Sequence, residues 1–215
     1  MSTNAPSGKP KVTLRAYAFL DTVQPQFASF ISTTAQGYLP TAGQSMLFIE
    51  VAPGMAINDM ADKALKGTNV KPGMMIVERA FGMLELHDDD QGEVKAAGQA
   101  ILDACGADPT DVMKPKIVSN QVIRNISDYQ AQIINNFRRG NMLLGGQTLF
   151  IMETEPAAYA VLAANEAEKA ANINIVHIQP FGAFGRVYLG GEEADIEVAK
   201  EAALRAIEGL GGKSW

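Results

Sequence analysis

The stretch LFIMETEPAAYAVLAANEAEKAANINIVHIQPFGAFGRVYLGGEEAD, residues 149–195, decides the fold because the chain contains it twice. An apolar strand that ends at Glu153 leads into an Ala-rich helix, for which Thr154 is the predicted N-cap and Pro156 lies in the first turn. The apolar run INIVHI predicts a second strand, and the alternating run after the loop 179–185 predicts a third.

The first copy of this stretch lies upstream at a constant spacing. Gly43-Gln44-Ser45 aligns with Gly146-Gln147-Thr148, an offset of 103 residues (146 − 43). The same offset aligns further identical residues: Glu50 with Glu153, Pro53 with Pro156, Lys66 with Lys169, Asn69 with Asn172, and Ala80-Phe81-Gly82 with Ala183-Phe184-Gly185. Solenoid repeats have periods of about 20 to 50 residues, so this longer repeat indicates two tandem domains.

Each unit reads as strand, helix, strand, helix, strand, strand, helix, which predicts an α/β fold, an α+β sandwich of a sheet with helices packed on it. In the first unit the last two strands are joined by a predicted turn at 79–82. The predicted boundaries are a disordered tail at 1–10, a first domain at 11–106, a linker at 107–114 and a second domain at 115–212.

Composition excludes several classes of protein. The 215 residues are 47% apolar and 20% charged, as in an ordinary globular protein. No apolar run approaches the roughly 20 residues of a membrane span, so no membrane association is expected. The formal charge of −6 without a basic run argues against nucleic-acid binding. The single cysteine, Cys105, cannot form an internal disulfide, so a reducing cytosol is expected.

A few residues have the chemistry of an active or metal site, but each is explained better by structure. His87-Asp88-Asp89-Asp90 contains metal-ligand types, yet the repeat aligns it with a strand-to-helix turn, where acidic residues favour the helix N-terminus. His177 lies on an apolar strand and Cys105 near the end of a helix, where both are expected to pack. We therefore predict no enzyme, no metal and no cofactor.

Several runs resemble a known family. METEPAAYAVLAANEAEKAANINIV and GAFGRVYLGGEEADIEVAKEAALRAI resemble the bacterial microcompartment shell domain. The strand and helix at 15–37 and at 118–140 precede this core instead of following it, which resembles the circularly permuted form of the domain. The runs RAYAFLDTVQPQ and MIVERAFG are similar to the tandem-domain shell proteins of the carboxysome.

The resemblance implies a homotrimer whose six domains form a pseudohexameric tile, which packs with other shell proteins into a carboxysome facet in the cytoplasm. Two trimers are able to stack face to face in this family. The resemblance also implies a gated central pore for metabolites such as sugar phosphates, with Glu78 and Arg79 as gating residues. The further pore-lining candidates are Ala80, Phe81, Phe181 and Gly182, the last two by alignment of the repeat.

Elementary electrostatics supports the implied gate. On a threefold axis, one Glu-Arg pair per chain becomes three carboxylates and three guanidinium groups, which repel or attract according to the local backbone arrangement. Two alternatives stay open. The chain could be a shell protein of another microcompartment, or a tandem α/β regulatory protein with a small-molecule site between its two units.

Overall fold

The structure is a computed structural model that describes residues 11–214. Its strands are β1 (Thr13–Leu20), β2 (Ser45–Ala52), β3 (Lys71–Glu78), β4 (Phe81–Asp88), β5 (Lys116–Ile123), β6 (Thr148–Glu155), β7 (Asn174–Gln179) and β8 (Gly185–Gly191). Its helices are α1 (Pro25–Thr34), α2 (Ile57–Gly67), α3 (Gln91–Cys105), α4 (Asp128–Phe137), α5 (Ala160–Ala170) and α6 (Glu193–Glu208). The predicted order of elements in each unit is confirmed.

The offset of 103 residues holds in three dimensions. It superimposes the bounds of β1, α1, β2 and α2 on those of β5, α4, β6 and α5. Irregularities of the strands repeat as well: the shift between Leu14 and Ala16 recurs between Ile117 and Ser119. The two units are therefore copies of one fold.

Each unit contains an antiparallel four-stranded sheet. The strand orders are β1-β2-β4-β3 and β5-β6-β8-β7. Alternate residues of the central strands point to opposite faces, so each sheet has two apolar surfaces to cover. In the first unit, α2 and α3 cover one face, and their side chains form a core with Leu47, Ile49 and Leu84.

The other face of the first sheet belongs to a core that crosses between the units. Phe27 and Phe30 of α1 and Phe48 of β2 lie in one continuous cluster with the alanines of α5. In the second unit the corresponding face, beneath α4, holds only a small separate cluster around Ile134 and Leu149. Within residues 11–214, the second unit covers this face of the first unit, and the counterpart face on the second unit has no such partner.

Two local predictions are wrong. Thr154 does not cap a helix, because β6 continues to Glu155 and Thr154 pairs in the ladder with Ile117 and Gly185. A 3-10 turn at Ala157–Tyr159 precedes α5 instead. The predicted four-residue turn at 79–82 is a two-residue loop, because Glu78 already pairs with Phe81.

The segment between the units is ordered. It contains a 3-10 turn at Pro109–Asp111, which Asp108 caps, and Met113 N–H donates to the carbonyl of Arg15. The predicted tail at 1–10 lies outside the described residues, and the domain boundaries stay a prediction. Within 11–214, no helix combines the length and the apolar character that crossing a membrane requires.

Candidate pore loops and the junction between the units

The β3–β4 loop carries the predicted gating pair. Glu78 is the last residue of β3, and Arg79 follows it with a φ of 53°. A positive φ places the Cβ of a residue other than glycine too close to a carbonyl oxygen, which costs about 1–2 kcal/mol. Arg79 and Ala80 are both exposed. The loop therefore presents a strained arginine to solvent.

The corresponding loop of the second unit is wider and lies beside the first. It runs from 180 to 184 between β7 and β8, and Gly182 has a φ of 97°. A Cβ at Gly182 would lie 3.2 Å from Glu78 Oε2, so the carboxylate rests against this glycine. The fold thus brings together Glu78 and Gly182, which are 104 positions apart (182 − 78).

The two aromatic candidates are partly buried. The guanidinium of Arg15 lies 3.8 Å from the ring centroid of Phe81, in cation–π geometry. Phe181 packs against the core that crosses between the units. The assignment of Glu78, Arg79 and these neighbours to a pore stays a prediction.

Directly behind the β3–β4 loop lies a buried ion pair that the sequence did not single out. Arg15 Nε donates to Glu50 Oε1 at 2.7 Å, and both side chains are almost fully buried. Ala158 N–H, at the start of the second unit's helical segment, donates to Glu50 Oε2 at 3.0 Å. Burial raises the pKa of Glu50, while the hydrogen bond from Arg15 acts in the opposite direction. The only signal in the sequence is a charged residue inside each of two apolar strands.

A second carboxylate of the junction acts as a helix cap across the two units. Gln24, at the N-cap of α1, makes no side-chain cap. Instead, Glu168 of α5 accepts hydrogen bonds from Gln26 N–H and Phe27 N–H, each at 2.8 Å. Carboxylates are favoured at this position by the helix dipole. The sequence around Glu168 gives no sign of this structural role, because both N–H donors lie more than 140 positions away.

Polar contacts at the edge of β7 complete the junction. The Gln26 side chain donates to Ile173 O at 2.6 Å and accepts from Ile175 N–H at 3.1 Å. A cavity of about 210 Å³ lies beside it, lined by residues that include Ser29, Arg139 and Asn141. This volume is below the range of about 300–1,000 Å³ that is typical of small-molecule sites.

The remaining candidates have structural roles. Asp90 caps α3 by accepting from Gly92 N–H, as the predicted strand-to-helix turn requires, and His87 Nδ1 lies 2.9 Å from Glu85 in the core. His177 packs among Phe30, Phe137 and Tyr188, and burial lowers its pKa. Among the described residues, no group of three or more His, Cys, Asp or Glu side chains is arranged to hold a metal ion.

Cys105 is half-buried. Its Sγ lies 3.2 Å from Met60 Sδ, and burial raises the pKa of the thiol. The thiolate is the reactive form of cysteine, so a raised pKa lowers the reactivity of this thiol at neutral pH.

Two α/β sheet units related by an exact spacing, each with its first strand and helix placed before the core, define a tandem protein of permuted shell domains. Residues 14–111 match the protein family described as "CsoS1D N-terminal domain", and residues 148–214 match the family described as "BMC domain". With these matches and the relatives described next, the chain belongs to the carboxysome shell proteins with tandem microcompartment domains.

Relatives with known names or structures are similar to this chain over nearly its whole length. The carboxysome shell protein CcmP of Synechococcus elongatus is 53% identical over 94% of this chain and 95% of its own. The carboxysome shell protein CsoS1D of Hydrogenovibrio crunogenus is 47% identical over 93% and 98%. A solved structure described as the fused permuted hexameric shell protein MSM0275 of the RMM microcompartment has a TM-score of 0.90 at 46% identity, and covers 93% and 98% of the two chains. These relatives are shell proteins, which confirms the prediction that the chain is not an enzyme.

Proposed function

We propose that three copies of this chain form a pseudohexameric tile of the carboxysome shell. The observation that carries the proposal is the unequal exposure of equivalent residues. Phe30 of α1 is 1% exposed at the internal junction, whereas its counterpart Ile133 of α4 is 66% exposed. Ala158 is fully buried there, whereas its counterpart Met55 is 70% exposed. The chain therefore carries both halves of a second junction, one on each side.

A second copy satisfies both halves if it binds head to tail. Such heterologous contacts close into a ring when the rotation permits, and six similar domains in sequence correspond to three chains. A solved relative, 36% identical with a TM-score of 0.91 and coverage of 95% of this chain and 100% of its own, is described as a double ringed trimeric shell protein. We extend that assembly to this chain, including stacking of two trimers and edge contacts with other shell proteins.

The site of action is the carboxysome shell, in the cytoplasm. Carboxysome shell proteins that are 47–53% identical to this chain favour this location over another microcompartment. In a tile, the loops after β3 and β7 from three copies surround the axis. Small metabolites such as sugar phosphates would pass between them.

The gate is Glu78 with Arg79. The carboxylate of Glu78 rests on Gly182, and the backbone of Arg79 is strained, so an alternative loop arrangement relieves that strain while it moves the charges. A difference of a few kcal/mol keeps both arrangements populated, and a solute that prefers one shifts the balance.

Purified protein should form particles of three chains, or six when trimers stack. Size-exclusion chromatography with light scattering measures this mass, and electron microscopy shows whether the particles are hexagonal tiles with a central hole. A stable monomer of 23.0 kDa at micromolar concentration contradicts the proposal.

Arg79→Ala should shift the gate toward the open state. The substitution removes three guanidinium groups that attract the Glu78 carboxylates, and leaves three like charges near the axis. The fraction of open particles in cryo-electron micrographs measures the change, with Arg205→Ala on the exposed side of α6 as control. Equal open fractions in wild type and Arg79→Ala, or loops that lie away from the axis, refute the gate.

A further inference from the structure

The internal junction shows how one carboxylate anchors one unit to the next. Glu50 divides its two oxygens: Oε1 accepts from Arg15, and Oε2 accepts from the backbone N–H of Ala158 in the other unit. The N–H groups in the first turn of a helix have no acceptor within the helix, so this contact satisfies one of them. The hydrogen bond from Ala158 N–H to Glu50 Oε2 also holds the start of the second unit's helical segment against β2 of the first unit.

At the equivalent position of the second unit, Glu153 has half of this arrangement. Its Oε1 accepts from Arg186 Nε at 2.8 Å, which parallels the bond between Glu50 and Arg15. Its Oε2 accepts from the Ser119 hydroxyl at 3.0 Å, whereas Oε2 of Glu50 accepts from the backbone N–H of Ala158. The Glu153 side chain is 25% exposed, so this carboxylate is partly accessible from outside the chain.

The residue that matches Ala158 is also exposed. Met55 occupies the equivalent position in the 3-10 turn Gly54–Ala56, and this residue is 70% exposed. We propose that Glu153 Oε2 accepts a hydrogen bond from Met55 N–H of the next copy of this chain. This inference rests on the proposed ring, and it names the carboxylate that links one copy to another.

The residues around this contact differ from those of the internal junction in a consistent way. Gln26, which hydrogen-bonds Ile175 N–H, corresponds to Tyr129, and Ile175 corresponds to Pro72, which has no N–H to donate. An aromatic ring opposite a proline packs without a hydrogen bond. Both members of the Gln26–Ile175 pair are therefore replaced in the second junction, by Tyr129 and Pro72, as expected if these two residues contact each other between copies.

The helix cap follows the same logic. Glu168, which caps α1 across the internal junction, corresponds to Leu65, which is exposed. The helix that Leu65 would face is α4, and this helix is capped by its own Ser127. A carboxylate is therefore needed internally and not between copies. The proposed junction between copies is therefore more apolar than the internal junction, but it retains one carboxylate, that of Glu153.

Glu153→Ala should weaken the trimer without unfolding the chain. Loss of a hydrogen bond to a charged group at each junction should raise the trimer's dissociation concentration by about tenfold or more. Sedimentation equilibrium measures this concentration, and circular dichroism checks the fold. Ser119→Ala is the matched control: it removes the internal partner of Oε2 and should leave the assembly intact.

A second variant tests the other side of the contact. Met55→Asp places a carboxylate on an exposed turn where it would face Glu153 of the next copy, so assembly should be lost through repulsion. Val198→Asp, on the outer face of α6, is the control and should assemble normally. A folded Glu153→Ala or Met55→Asp variant with wild-type trimer stability overturns this inference alone. A monomeric wild type overturns it together with the proposed ring.

Discussion

Glu50→Ala should lower the free energy of unfolding by about 3–5 kcal/mol, because it removes the carboxylate that is hydrogen-bonded to the buried guanidinium of Arg15. Arg15 is 7% exposed, so its charge cannot regain full hydration, and Ala158 N–H loses its acceptor at the junction. For a chain of this size the loss corresponds to a fall in melting temperature of roughly 6–20 °C. Thermal unfolding at fixed protein concentration measures it.

Two further variants identify the cause of this effect. Glu201→Ala removes an exposed carboxylate paired with Arg205 and should leave the melting temperature unchanged. The double substitution Arg15→Met with Glu50→Met removes both buried charges and should recover most of the lost stability. If the double variant is as unstable as Glu50→Ala, the buried charge is not the cause of the loss.

Gly82→Ala should destabilise the first unit by about 1–3 kcal/mol and displace the gating loop. A Cβ at Gly82 would lie 2.2 Å from the carbonyl oxygen of Gly54 and 2.8 Å from Ile57 Cβ, so the start of α2 would have to move away from β4. A Cβ at its counterpart, Gly185, would lie 2.1 Å from the carbonyl oxygen of Ala157, so the close approach recurs in the second unit. Chemical denaturation measures the loss.

Gly67→Ala is the matched control. Gly67 ends α2, and a Cβ there would meet nothing within 4 Å. Removing the conformational freedom of a glycine at such a site should leave stability unchanged or raise it by about 0.4–1 kcal/mol. If Gly82→Ala is as stable as Gly67→Ala, the β4–α2 contact is not close-packed as described.

The predicted elements that proved right depend on local periodicity and on the repeat. Apolar alternation and helical spacing are properties of adjacent residues, and the offset of 103 residues carried each assignment from one unit to the other. The prediction that Thr154 caps a helix was wrong because a threonine shortly before a proline is typical of a helix start. Only the ladder with Ile117 and Gly185 shows that the strand continues.

The roles that the sequence missed depend on contacts between distant residues. Glu168 has the spacing of a solvated helix face, and nothing in its neighbourhood reveals that the start of α1, more than 140 positions away, lies against it. Likewise, the sequence shows Glu78 only as the last residue of a strand, and the structure alone shows that its carboxylate lies against Gly182. Local patterns cannot encode such pairs, since they carry no information on which surfaces meet.

The sequence by itself determined that this chain is one fold repeated, since two glutamates, two prolines and two Ala-Phe-Gly runs recur at one spacing. The tertiary structure decided how the copies differ. Glu50 is buried and Glu153 partly exposed, although they occupy equivalent positions in β2 and β6, because a single chain holds both sides of one junction but only the two separated halves of the next. Which of two equivalent carboxylates loses its water is a property of the surface packed against it, and that surface comes from another part of the fold.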